Sequence, residues 1–334
     1  MSQVLNSEML VEPLAASATA PSATTPAASP EQPAKPRVWT VFAAYVVASI
    51  GGVAGIVLAN AAVGVCVGVA DSVHGRDAEF IQTHIQQILR HPLAALFAQL
   101  LPYQLGMLAV ALFAAWMSPH PWKERLGLVK AVGGEPSGLN LAGLGAFTVA
   151  TALSTAVALS LIAGPPAAAE SMAGAESTGA WWLVAAANFA VMLVPAFVEE
   201  CFFRGYIQRR LLERWSPFAA ISTTTGLFAI LHCDSLHHVL AVVPLGIVTG
   251  VLAYRTQSVR AGIVVHAVHN LAAVGYGVYA AELGGNLSSD ALGMALVGLI
   301  ASLLLAGLVA LTCFVRTRRP TSPLSPSLAG SLAA

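Results

Sequence analysis

Three short stretches of the chain set ionisable groups inside runs that are otherwise apolar: Glu199-Glu200-Cys201-Phe202-Phe203-Arg204, Phe228-Ala229-Ile230-Leu231-His232, and His266-Ala267-Val268-His269-Asn270. An ionised side chain near the centre of a membrane span costs at least ~2.5–3.5 kcal/mol on insertion scales, so such groups need a partner or a task. Glu200 and Arg204 are four residues apart and meet on one helical face, where they can pair. Glu199 is turned about 100° away from Glu200 and is left to face something else. His266 and Asn270 also share a face, with His269 beside them, and the Phe228 ring lies on the face of His232. A desolvated carboxylate is suited to take a proton from water. Imidazole and carboxamide N–H groups are suited to hold an oxyanion. The plainer alternative is that these groups only hold helices together or line a transport route.

The elements that must position these residues are membrane helices. The chain has 334 residues, of which 57% are hydrophobic and 10% charged, with a mean hydropathy of +0.74. Soluble domains carry about 25% charged residues. An ordinary water-soluble enzyme is therefore excluded, and so is disorder of the whole chain. Sixteen basic residues balance sixteen acidic ones, which leaves no net charge to draw nucleic acid. The abundance of Ala, Gly, Val and Leu suits helices that pack closely in lipid. Eight apolar segments are long enough to cross a bilayer: 39–70, 93–117, 138–163, 181–203, 217–233, 239–254, 261–281 and 291–315. The first is long enough to tilt or to project, and the sixth, containing Pro244, has soft ends. The expected fold is an all-α polytopic membrane protein with both termini cytoplasmic.

Charge placement supports that topology. The cytoplasmic side then holds Lys35, Arg37, Lys123, Arg125, Lys130, Arg204, Arg209, Arg210, Arg214, Arg255, Arg260, Arg316, Arg318 and Arg319, against only Arg76 and Arg90 outside. This is the positive-inside pattern. The outer loop 71–92 reads either as a short helix lying in the interface, with Phe80, Ile81, Ile85, Ile88 and Leu89 on one side, or as a loop over the bundle. Residues 1–37 form an Ala/Pro/Ser/Thr-rich tail expected to be disordered, without the pattern of a signal peptide. The bundle is expected over 38–316, and a second disordered tail over 317–334. Cys66, Cys201, Cys233 and Cys313 suggest neither a disulfide framework nor a zinc ribbon. Glu199 lies 17 residues before Ser216 and His232 lies 16 after it, so antiparallel helices hold them level, roughly 25 Å from the turn. His266 and Asn270 lie roughly 12 and 18 Å along their own helix and reach that level only with tilt. Pro195 is placed to kink the helix just before Glu199.

Glu199-Glu200-x-x-x-Arg204, Phe228-x-x-x-His232 and His266-x-x-x-Asn270 resemble the three signature motifs of the CAAX protease and bacteriocin-processing (CPBP, or Abi) intramembrane proteases. The resemblance covers mainly residues 181–281. Glu124-Arg125-Leu126-Gly127-Leu128 is similar to a further, less specific family feature. The resemblance implies an intramembrane endopeptidase that hydrolyses peptide bonds of membrane-associated substrates with a glutamate-activated water. It implies Glu199 as general base, Glu200 held by Arg204 as its structural partner, His232 as the residue that positions water, and His266 with Asn270 as the oxyanion pair. The family has been described both without a metal and with zinc. Here the metal-free version is expected, and the zinc alternative would use Glu199, His232 and His266, although no HExxH is present.

Other readings stay open. A non-catalytic immunity protein or a proton-coupled transporter would use the same buried groups differently. Cys201 and Cys233 adjoin motif positions without an evident Cys–His pair. His237 and His238 read as polar residues of an outer loop. The expected partners are the lipid bilayer and a peptide or protein substrate with a membrane-associated segment. The expected location is a bacterial plasma (inner) membrane.

Overall fold

The computed structural model describes residues 37–163 and 181–282 and, beyond these, positions 297, 300, 301, 303–305, 307, 308 and 311. The described residues contain helices and no strand. In chain order the helices are α1 (Trp39–Val73), α2 (Ala78–Arg90), the single turn α3 (Pro92–Ala95), a π-helical turn at Leu96–Leu100, α4 (Leu101–Trp116) and the single turn α5 (Trp122–Arg125). There follow α6 (Gly138–Ala163), α7 (Trp181–Glu199), a π-helical segment at Glu200–Gln208, α8 (Arg209–Leu212), α9 (Pro217–Ile230), α10 (Leu236–Thr256) and α11 (Arg260–Glu282). The expected segments from 39–70 to 261–281 all fall on helical stretches, 93–117 on α3, the π-helical turn and α4 together, and 181–203 on α7 and the start of the π-helical segment. The segment 291–315 lies largely outside the described residues, although the positions described within it are helical. Both expected tails lie outside the described residues, apart from Arg37.

Among the described residues, five helical stretches are long and apolar enough to cross a membrane: Trp39–Val73, Leu96–Trp116, Gly138–Thr155, Ala186–Leu212 and Leu236–Thr256. α9 is a shorter apolar helix. At 35 residues, α1 is roughly 52 Å long, well beyond the ~30 Å of bilayer hydrocarbon. Its most apolar stretch has mean hydropathy 2.2 with only 17% of residues buried. Val46, Val47, Ile50, Val57 and Leu58 all face outward. Surface of this kind is stable against lipid and not against water. The helix with the charged motif is the most enclosed of the five, with half of its apolar stretch buried. The protein is a multi-pass membrane protein.

Local chemistry sets the helix boundaries. Ser216 caps α9 by accepting from Ala219 N, with Pro217 at the first helical position, where its missing N–H costs nothing. Ser235 likewise caps α10 by accepting from His238 N. Two expectations are corrected as a result. His232 lies in the turn after α9 and not within a span, and His237 and His238 belong to the first turn of α10 and not to a loop. Asp77 caps α2 through Phe80 N at 2.8 Å, which turns the outer loop into the expected helix. None of the residues of α2 is buried.

The core forms where α4, the 200–208 segment, α9, α10 and α11 meet, around Met107, Phe202, Phe203, Ile207, Phe228, Leu245 and Val265. Small residues permit the approach. A Cβ on Gly246 would press on Thr225, and one on Gly250 on Gln208 and Ile221. Gly205 abuts the backbone of Leu126 directly. That contact belongs to a clamp made by residues 124–128. Arg209 donates to the carbonyls of Glu124 and Gln257, Val259 N donates to Gly127 O at 2.9 Å, and Arg125 pairs with Glu213 at 2.8 Å. Gly127 has φ +70°, the left-handed region that a side chain would strain, and a Cβ there would also meet Val259.

Gly205→Ala is expected to lower unfolding stability by ~1–3 kcal/mol, the usual cost of overpacking where backbone cannot yield. Gly226→Ala, which has open space around the new methyl, should leave it unchanged or raise it slightly. Thermal unfolding of the two purified variants in detergent checks the contrast.

Candidate active site

The chain enters the site along α7. Pro195 lies inside this helix and cannot donate to the carbonyl four residues earlier. One residue beyond that carbonyl, Met192 O accepts from Asn270 Nδ2 of α11 at 3.2 Å, so a neighbouring helix serves the disturbed stretch, as membrane helices with proline require. From Glu200 to Gln208 the helix winds in the wider π form, and all nine of its residues are buried. This was not foreseen from sequence. Single-turn π-bulges are rare and recur at functional sites, and this segment is longer.

Glu200 and Arg204 have no exposed surface and pair at 3.1 Å between Oε1 and Nη1. The guanidinium also donates from Nη2 to Gly246 O at 3.2 Å and lies over the Phe228 ring, 4.5 Å from its centroid. One turn on, Gln208 Nε2 donates to Gly250 O at 2.8 Å. Arg204 and Gln208 thus read two successive glycine carbonyls of α10, and Gly262 of α11 leaves room for Glu200 Oε2. The two charges offset each other, helped by the Gly246 carbonyl and the His266 ring, while Glu200 Oε2 and Arg204 Nε have no hydrogen-bond partner among the described residues.

His266, buried on α11, stands between the two carboxylates. Its Nδ1 is 3.0 Å from Glu200 Oε1, and its Nε2 is 3.7 Å from Glu199 Oε2, beyond hydrogen-bond range. These contacts place His266 of α11 level with the glutamates. Glu200 pairs with Arg204 and Glu199 turns to another partner, with one imidazole between the two.

His232 bonds through Nδ1 to Phe228 O at 2.8 Å and packs on the Phe228 ring at 4.8 Å. Phe228 also meets His266 edge-on at 5.8 Å. This ring thus touches His232, His266 and Arg204 together and walls the site. Asn270 keeps a second N–H beyond the one given to Met192. His269 is buried with Nδ1 unpartnered among the described residues.

Sequence reasoning missed Gln104 on α4. It is buried, and its Nε2 donates to Glu199 Oε1 at 2.8 Å. An amide in an apolar span was the available signal, and it was passed over because it carries no charge. Beside it, between α4 and α7, a cavity of about 330 Å³ is lined by Leu101, Leu105, Leu193, Val194 and Phe197, with Gln104 its one polar side chain. Cys201 is buried and Cys233 exposed, both as free thiols. His238 pairs with Asp234 at 3.0 Å and meets the His232 ring at 4.6 Å. Among the described residues no group of three His, Cys, Asp or Glu side chains is arranged to hold a metal ion, the set Glu199, His232 and His266 included.

Arg204→Met is expected to cost ~3–5 kcal/mol of stability, because it strands a buried carboxylate. Adding Glu200→Gln to it should recover part of that loss. A double-mutant cycle on thermal unfolding in detergent measures the coupling.

Comparison with curated proteins and with solved structures gives no match. Residues 180–272 match the family model described as type II CAAX prenyl endopeptidase Rce1-like. The matched stretch holds all three motifs and excludes Gln104 and the 124–128 clamp. Over that stretch, a little under a third of the chain, this membrane protein is similar to the CAAX prenyl endopeptidase family.

Proposed function

We propose that the protein is an intramembrane endopeptidase in which Glu199 activates water for attack on a peptide bond. The observation that carries the reading is the unequal treatment of two adjacent buried carboxylates. Glu200 meets both Arg204 and His266 through Oε1, so its charge faces a guanidinium, although its Oε2 has no hydrogen-bond partner among the described residues. Glu199 is tied at one oxygen by Gln104 and keeps Oε2 without a hydrogen-bond partner among the described residues. A general base needs such a free, dry acceptor. Arg204 and Glu200 hold the frame. His232 positions and polarises the water. The second N–H of Asn270 serves the oxyanion as the carbonyl becomes tetrahedral, and His266 Nε2 joins it only as imidazolium, since the N–H on Nδ1 goes to Glu200.

The reaction so described needs no metal, and no step passes through one. The apolar cavity between α4 and α7 lies within the ~300–1,000 Å³ range of ligand pockets and suits a hydrophobic segment of a membrane-associated substrate. Eight spans with both termini in the cytoplasm, in a bacterial plasma membrane, complete the proposal on the charge bias of the loops. The substrate class follows the family description, a C-terminal CAAX segment carrying a prenyl group, with peptide maturation or immunity as the other roles within reach of the same chemistry.

The test is turnover by the reconstituted protein and by Glu199→Gln, read on a farnesylated C-terminal peptide reporter and on peptide termini in cells making either form. Glu199→Gln should cut kcat by at least about 100-fold while leaving the fold intact. Chelator treatment with metal analysis should leave activity unchanged, and loss that zinc restores would return the zinc version. Equal cleavage by both forms removes Glu199 from its role. Proton flux in liposomes without cleavage would favour the transporter.

A further inference from the structure

The glutamate reading assigns the water to Glu199 and His232 but gives no task to the amide bonded to Glu199. Gln104 is 3% exposed and is the one amide side chain in α4. Its Nε2 donates to Glu199 Oε1. The reverse orientation of the amide would set two acceptors against each other, so Oε1 must be the other end of the group. That Oε1 is buried and has no partner among the described residues, and the same holds for Glu199 Oε2. Two side chains already bonded to each other thus present two orphaned acceptors. Buried acceptors of this kind are met by donors, and a water supplies two from one atom.

We infer that Gln104 is a catalytic residue, holding the attacking water between its Oε1 and Glu199 Oε2. The inference rests on the protease reading. One O–H of the water points at Glu199 and the other at Gln104, which leaves a lone pair of the oxygen for the substrate. As that lone pair forms the C–O bond, the proton bonded to Glu199 Oε2 passes to the carboxylate, and the carbonyl π pair moves onto its oxygen. The remaining O–H stays on Gln104. When the C–N bond breaks, the proton on Glu199 goes to the departing amine. Gln104 therefore serves both carboxylate orientation, through Nε2, and nucleophile orientation, through Oε1. It does so from a helix outside the segment that matches the family model.

The experiment compares wild type, Gln104→Met and Glu199→Gln in liposomes. Gln104→Met keeps the shape and removes both polar atoms. On the farnesylated peptide reporter it should lower kcat by about 100-fold, the scale of one positioned polar group, with KM changed less than about twofold. Full kcat in Gln104→Met beside an inactive Glu199→Gln overturns the water role and leaves the protease reading standing. Full activity in Glu199→Gln overturns both. A second measurement needs no substrate: the O–H stretch of the internal water, identified by its shift in H₂¹⁸O, read by infrared difference spectroscopy. The band should be present in wild type and lost in both variants. Its absence from wild type or its persistence in Gln104→Met sinks the inference, and thermal unfolding of each variant separates either result from misfolding.

Discussion

The ion pair between Glu200 and Arg204 is the constraint around which the bundle is built. Neither side chain retains any exposed surface, and removing two charges from water is costly unless the surroundings replace what water supplied. The surroundings here are particular. Gly246 gives a carbonyl, Phe228 gives the face of its ring, His266 gives an N–H, and Gly262 gives space. Four helical elements must converge within a few ångströms for this to happen. Their lipid-facing surfaces need only be apolar, which explains why α1 is so weakly specified by burial while the 200–208 segment is wholly enclosed.

Placing a second carboxylate next to that pair creates the functional contrast. Glu199 inherits the same dry setting but not the same compensation, since the guanidinium is spent on its neighbour. What it has is an amide from α4 and an imidazole just out of bonding range. One glutamate faces a guanidinium and the other an amide, although they are adjacent in the chain.

Much of this was legible in the residues. Apolar run lengths located the helices, and the four-residue spacing of Glu200 with Arg204 foretold their pair. The serine caps show why the ends of α9 and α10 were misjudged: residues 231–239 are polar enough to read as a loop, but Ser235 restarts the helix inside them by side-chain bonding, a local effect that run length does not see. The level of α11 was ambiguous because tilt depends on packing between helices. The glycine carbonyls that receive Arg204 and Gln208 were hidden for the same reason, since a backbone acceptor has no letter of its own. Gln104 was overlooked because a neutral amide passes any search for charge.

The clamp at residues 124–128 ties two parts of the sequence that a motif search treats separately. Gly205 rests on the Leu126 backbone, and Arg209 spans from Glu124 to Gln257. Together with Gln104 this makes the first helices co-authors of the site rather than a membrane anchor for it. In evolutionary terms the two halves are bound to drift together: a recombination event that joined the core of one relative to the leading helices of another would inherit a mismatched seam at the very turn that carries the charged helix.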